Sequence, residues 1–167
     1  EVFQNKNLSK EVPGLPIFSD HNAKYLIYTG TLGKVYGLTY LIRLAYELRK
    51  IGSNVKVVLI GDGREKEALI QLAIHLDVYC THVFFYDAVP KSEIPIYLKN
   101  CHMGSNIILD IPELCANSAN KFFDTIAGGK PILINHDGWM KDVIDFHQIG
   151  IVTAGLSSVQ AAQLVDL

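Results

Sequence analysis

The stretch VKVVLIGDGREKEALIQLAIHL, Val55 to Leu76, decides how the rest of the chain is read. Val55 to Ile60 is apolar except for Lys56 and runs straight into Gly61-Asp62-Gly63. Apolar, β-branched runs of that kind belong to strands buried on both faces, hence to a parallel sheet covered by helices. After the turn the period changes. Leu69, Leu72, Ala73 and Leu76 recur at helical spacing over roughly 64–76. A strand, a tight turn and an amphipathic helix make the first part of a βαβ unit.

The same unit repeats in both directions. Upstream, YLIYTG (25–30) reads as a strand, and Leu38, Leu41, Ile42, Ala45 and Leu48 trace a helix face with Gly52 just beyond. Downstream, HVFFYD (82–87) is a strand candidate and KSEIPIYLKNC (91–101) a helix with Pro95 near its first turn. NIILDI (106–111), PILIN (131–135) and GIVTA (150–154) read as further strands. The helices between them are ANKFFDTIAGG (119–129) and WMKDVIDFHQIG (139–150), the latter closed by Gly150, and SSVQAAQLVDL begins another. This alternation predicts an α/β fold, a Rossmann-like three-layer sandwich around an open parallel sheet. A closed barrel of eight units needs about 250 residues, and the chain has 167. Residues 1–24, broken by Pro13, Gly14 and Pro16, read as an irregular lead-in, and 25–167 as the domain.

Composition narrows the function classes. With 49% hydrophobic and 19% charged residues the chain is of globular type, and its net charge of −2 supports no broad surface for nucleic acid or membrane. A small local basic pocket remains compatible with that balance. No apolar run approaches the length of a membrane span. Cys80, Cys101 and Cys115 are odd in number and lack metal-ligand spacing, which predicts buried or partly buried reduced thiols and a cytoplasmic setting. His75, His82, His102 and His147 are scattered, so no metal site and no tightly bound cofactor are expected.

In an open parallel sheet, ligands bind beyond the carboxyl ends of the strands. The first such segment is TGTLGKVYG (29–37), where Gly30 and Gly33 permit close backbone approach and Lys34 could face a phosphate. Its spacing is neither GxGxxG nor GxxxxGK[ST], and a glycine-rich turn with a solvated lysine fits it as well. The second holds Gly61, Gly63 and Arg64; an anion would suit Arg64 at a helix start, and so would solvent. In the third, Asp87 or Ser92 is a candidate helix cap and Pro90 sets the entry angle. His136-Asp137-Gly138 reads as a capped turn with a partly exposed imidazole, or as a ligand contact. The most telling segment is NKFFDTIAGGKPILINHDG (120–138), which sets Asp124 on a mostly apolar helix and stops that helix at Gly-Lys-Pro. Lys121 and Asp124 stand at i, i+3. They could pair with each other, or Asp124 could accept the two hydroxyls of a ribose.

Taken together, YTGTLGKVYGLTYLI, VKVVLIGDGREKEAL, VFFYDAVPKSEIPIYLKNC and NKFFDTIAGGKPIL resemble, in this order, the C-terminal donor-binding half of retaining GT-B glycosyltransferases of family 4. NKFFDTIAGGKP is closest to a bacterial subgroup that builds surface polysaccharides, such as capsule and lipopolysaccharide, from UDP-linked N-acetylated sugars. The resemblance spans roughly residues 22–155. It implies a nucleoside-diphosphate sugar as donor, a glycan or lipid-linked acceptor, and an N-terminal acceptor domain absent from this chain. Any membrane contact would be peripheral and lie in that missing half. It puts Asp124 at the ribose and Gly33, with Lys34, near the diphosphate. It puts Gly61, Gly63 and Arg64 on the second glycine turn, and Phe85 to Ala88 near the base. Lys121 and Glu113 fall near the donor. The chain departs from the family pattern at three places: Ala116 replaces the first acid, Thr31 an arginine and Tyr36 a lysine. A GT-B-like UDP-sugar epimerase and a degenerate donor-type domain acting as a scaffold are the alternative readings.

Overall fold

The computed structural model describes residues 18, 20–109, 111–115 and 120–166. Ala116 and most of the expected lead-in lie outside them. Six parallel strands form one sheet in the order β3-β2-β1-β4-β5-β6. They are β1 (Lys24–Thr29), β2 (Val55–Ile60), β3 (Val83–Tyr86), β4 (Met103–Asn106), β5 (Ile132–Ile134) and β6 (Gly150–Val152). The helices are α1 (Thr39–Lys50), α2 (Lys66–His75), α3 (Ile94–Asn100), α4 (Pro112–Cys115), α5 (Asn120–Ala127), α6 (Trp139–His147) and α7 (Ser158–Val165). This is the doubly wound order, whose direction of winding reverses between β1 and β4.

The period-2 alternation of each strand divides the core. Leu26 and Tyr28 of β1, with Val57 and Leu59 of β2, pack under α1, α2 and α7. Tyr25, Ile27, Val58 and Ile60 face the other way, against Tyr97 and Leu98 of α3. Ile132 and Ile134 of β5 pack with Phe122 of α5 and with Met140 and Ile144 of α6. The result is the three-layer sandwich that the apolar runs predict. A reciprocal capping box between Ser157 and Gln160 starts α7, which lies along α1.

The fourth strand differs from its sequence reading. Of NIILDI only Asn106 lies in the strand among the described residues, and Asp110 lies outside them; the ladder runs over Met103–Asn106, pairing Gly104 with Ile27 on one side and Ile132 on the other. Ile107 and Ile108 are buried beyond its end. There the Asn135 amide takes over both backbone groups of Ile108, and Leu109 N–H donates to the Val35 carbonyl at 3.0 Å. These bonds draw the chain out of the ladder. The small residues of β4 have their own reason. A Cβ on Gly104 would stand 2.5 Å from Thr125, so glycine lets α5 settle directly on the sheet.

Local expectations are corrected at four other points. Gln148, not Gly150, takes the left-handed position that ends α6, at φ 54°, while Gly150 lies in β6 where a Cβ would overlap the Ile132 carbonyl. Neither Asp87 nor Ser92 caps α3; Asp87 is exposed and pairs with Lys66 at 2.7 Å, which lowers its pKa. His136 is buried, not partly exposed, with Nδ1 2.8 Å from the Asp137 carbonyl, and α6 begins at Trp139, after Gly138, without a side-chain cap. Cys80 is exposed, whereas Cys101 is buried and its thiol is pushed up to about 12. Among the described residues, no helix is long and apolar enough to cross a membrane.

His102 ties the N-terminal edge of the sheet to pH. Its Nδ1 accepts the Tyr25 N–H at 3.0 Å, and burial, then Lys130 and Lys24, lowers its pKa below 6.5. Between the two pKa values the unfolded chain binds more protons, so this stability is present above pH 6.5 and lost as pH falls through the depressed folded value. Urea midpoints should therefore drop between about pH 7.5 and about pH 5.5, and drop less in His102→Gln. An equal drop in the variant would remove His102 from the account.

Candidate functional site

The loops that leave β1 and β2 lie backbone against backbone. Gly30 N–H donates to the Ile60 carbonyl at 2.9 Å and Leu32 N–H to the Asp62 carbonyl at 2.8 Å. Gly61, at φ +158°, and Gly63, at φ +156°, would each drive a Cβ into a carbonyl oxygen, that of Gly30 or of Leu32. These glycines therefore serve loop-on-loop packing. Asp62 turns its carboxylate back to accept the Gly63 N–H at 2.8 Å.

Above this floor opens a cleft of about 380 Å³ at the carboxyl edge of the sheet. The end of β1 and its exit loop contribute Thr29, Gly30 and Thr31; the end of β2 and its exit loop contribute Ile60, Gly61 and Asp62. The segment after β3 adds Ala88, Val89, Lys91 and Ile94, and α5 closes the far wall with Asn120, Lys121 and Asp124. The cleft spans the β1–β4 reversal, where an open α/β sheet leaves a crevice between divergent connections.

Lys121 does not pair with Asp124: among the described residues no ion pair joins them. The lysine side chain instead crosses Gly30. A Cβ there would be 2.7 Å from Lys121 Cε. Its ammonium stands 4.3 Å from the Tyr36 ring centroid and 5.2 Å from that of Tyr28. Burial alone lowers its pKa, which marks a cation whose hydration is cut back with no carboxylate in return. Tyr28 is fully buried, its pKa raised by burial and by Tyr36, and its hydroxyl donates to the Thr31 carbonyl at 2.8 Å.

Of the residues singled out in the sequence, Gly30, Thr31, Gly61, Ala88, Lys121 and Asp124 come together in this cleft. Gly33 and Lys34 line a separate hollow of about 180 Å³ with Glu65 and Leu109. Gly63 packs on Leu32, Arg64 and Glu113 are exposed away from the lining, and Phe85 packs on the core beside Tyr79. Lys91 and Asp62 also line the cleft; both lie in segments that follow strands, but no spacing in the sequence marks them. Sequence reasoning treated Tyr36 only as a missing lysine; no spacing rule relates residue 36 to residue 121.

Residues 16–105 match the family described as Glycosyl transferases group 1. No curated protein matches the sequence. Among solved structures, WaaG, a glycosyltransferase involved in lipopolysaccharide biosynthesis, superposes with TM-score 0.71 at 16% identity over 95% of this chain and 43% of that one. Anabaena Alr3699/HepE in complex with UDP and glucose gives 0.72 at 19% over 96% and 44%. The C-terminal domain of LpcC, a group 1 protein of Francisella tularensis, gives 0.67 at 17% over 86% and 73%. The chain thus spans less than half the length of WaaG and HepE, and at these identities the likeness is one of fold.

The packed loops generate a stability prediction. Gly61→Ala and Gly63→Ala should each cost roughly 2–4 kcal/mol in urea denaturation. Gly52→Ala, also at positive φ but in open space, should cost about 1 kcal/mol. Equal costs at all three sites would show that the loops are not held by this contact.

Proposed function

The chain belongs to the group 1 glycosyl transferases, and on that premise we propose that it is the donor-binding half of a two-domain GT-B transferase of the retaining, family 4 kind. Its donor is a nucleoside-diphosphate sugar, UDP-linked and carrying an N-acetylated hexose. One observation carries this reading: an acid and a cation three residues apart on α5 face one cleft at the sheet reversal without neutralising each other. Asp124 accepts the two ribose hydroxyls, and the backbone at Ala88 and Val89 meets the flat base. The UDP bound by HepE favours uridine.

In the reaction the bond between the anomeric carbon and the diphosphate breaks, its electron pair leaving on the phosphate oxygen. The acceptor oxygen bonds to that carbon with retention, its proton passing to the departing phosphate or to water. Charge building on the leaving group is the difficulty, and fixed donors and cations at the cleft relieve it. Asp124 positions the donor and shuttles no proton. The acceptor, a glycan or lipid-linked sugar, binds a second domain whose closure excludes water. The setting is cytoplasmic, where activated sugars are made. A second reading, a donor-type domain that binds without transferring, is favoured by Thr31 and Tyr36 standing where the family pattern is basic.

Calorimetric titration with UDP, GDP and ADP tests the proposal. One diphosphate should saturate, and Asp124→Ala should weaken it at least about tenfold, or about 1.4 kcal/mol, with circular dichroism unchanged. Binding untouched by the substitution would overturn the role of Asp124. On the full-length protein with acceptor, a glycoside product marks a transferase, free epimerised sugar an epimerase, and no turnover the scaffold.

A further inference from the structure

The cleft has a basic residue in neither of the two glycine-loop positions where one is expected, and it holds a cation delivered from elsewhere. Lys121 comes from α5, on the opposite wall, and reaches over Gly30 to the loop whose own lysine, Lys34, lines a different hollow. We propose that Lys121 is the group that binds the leaving diphosphate in this chain, and that Tyr36, with Tyr28 beneath, is its positioning residue. The proposal rests on the donor-site reading above and deepens it.

Three features of the geometry carry it. The first is place: the ammonium lies over Gly30, in the glycine loop that lines the cleft at the reversal of the sheet. Of the other cations named so far, Lys91 lines the same cleft from the segment after β3, in the exposed turn before α3, whereas Lys34 lines a different hollow and Arg64 is exposed outside the lining.

The second feature is support. A lysine stem has four rotatable bonds and costs much entropy to hold. Here two ring faces, at 4.3 and 5.2 Å from Nζ, hold the charge by their negative quadrupoles while leaving its N–H groups free of a carboxylate. An acidic partner would hold it too, but would cancel the charge that a diphosphate needs. An aromatic at residue 36 is thus more useful to this cleft than a second cation, which would repel Lys121. Gly33 fits the same arrangement: a Cβ there would be 3.6 Å from the Tyr36 ring, so the loop wraps closely around it.

The third feature is the orienting bond. Tyr28 fixes the first glycine loop by donating to the Thr31 carbonyl, which keeps Thr31 and Gly30 against the cleft and below the ammonium. Residues 31, 36 and 121 then make one consistent set: α5 supplies the charge, and the first glycine loop with its rings seats it.

Isothermal titration of the protein with UDP and with uridine separates the phosphate contact from the base and ribose contacts. Wild type should prefer UDP to uridine, and Lys121→Met should lose about tenfold or more of UDP affinity while leaving uridine unchanged. Tyr36→Leu should weaken UDP alone by about fivefold, and Tyr36→Phe, which keeps the ring face, should restore wild-type affinity. Lys50→Met, which removes an exposed cation at the end of α1, should change UDP binding by less than about twofold. Unchanged UDP affinity in Lys121→Met, or a loss shared equally by uridine, would overturn the role of Lys121 and leave the donor site standing. Equal losses in Tyr36→Leu and Tyr36→Phe would overturn the positioning role. Failure of wild type to bind either compound would overturn the donor-site reading itself, and this inference with it.

Discussion

The structure depends on a contact that only glycine permits: the backbone of Gly61 pressed on the carbonyl of Gly30, repeated one step outward by Gly63 on Leu32. β1 and β2 end side by side in parallel register, Thr29 opposite Ile60, so their exit loops compete for the same space. Side chains there would force the loops apart and fill the crevice. Without them the loops hydrogen-bond to one another, the sheet edge stays low, and a cleft remains above it. The floor of the site is therefore a packing solution first, and its openness follows from that.

The far wall rests on a second close approach. Gly104 in β4 brings Thr125 onto the sheet, and this sets the height at which α5 presents its first turn. From that height Asn120, Lys121 and Asp124 line the cleft while Phe122 on the same helix is buried with β5 and α6. One amphipathic helix thus serves core and site at once. A cation and an acid on the same turn would ordinarily find each other in water for a modest gain. Here the rings of Tyr36 and Tyr28 outcompete that pairing by holding the ammonium across Gly30.

Much of the architecture was legible along the chain because its signals are local. The apolar runs of β1 and β2, the helical stripe of α1 and the stop after α5 are each written within about ten residues. β4 was misplaced for a physical reason. Its residues Met103-Gly104-Ser105-Asn106 are chosen for close packing against α5 and for the Ser105 hydroxyl, which donates to the Ile27 carbonyl at 3.0 Å. The more strand-like NIILDI follows it, diverted by Asn135 from 27 residues away. The sequence around His136 fits a capped turn with a partly exposed imidazole or a ligand contact, because nothing local says that the end of β5 is covered.

The sequence by itself determined the class of the fold, the layer order and the edge of the sheet at which the cleft opens. Those follow from hydrophobic period and from glycine at strand ends, which act between neighbours in the chain. Tertiary structure alone decided which residues share the cleft. Gly61 and Ala88 enter it, while Gly33, Lys34, Arg64, Phe85 and Glu113 are turned elsewhere. It also decided that Lys121 leaves Asp124 for a ring 85 residues upstream. The free energy of a charge depends on the burial and the partners around it, and these exist only once distant segments have packed.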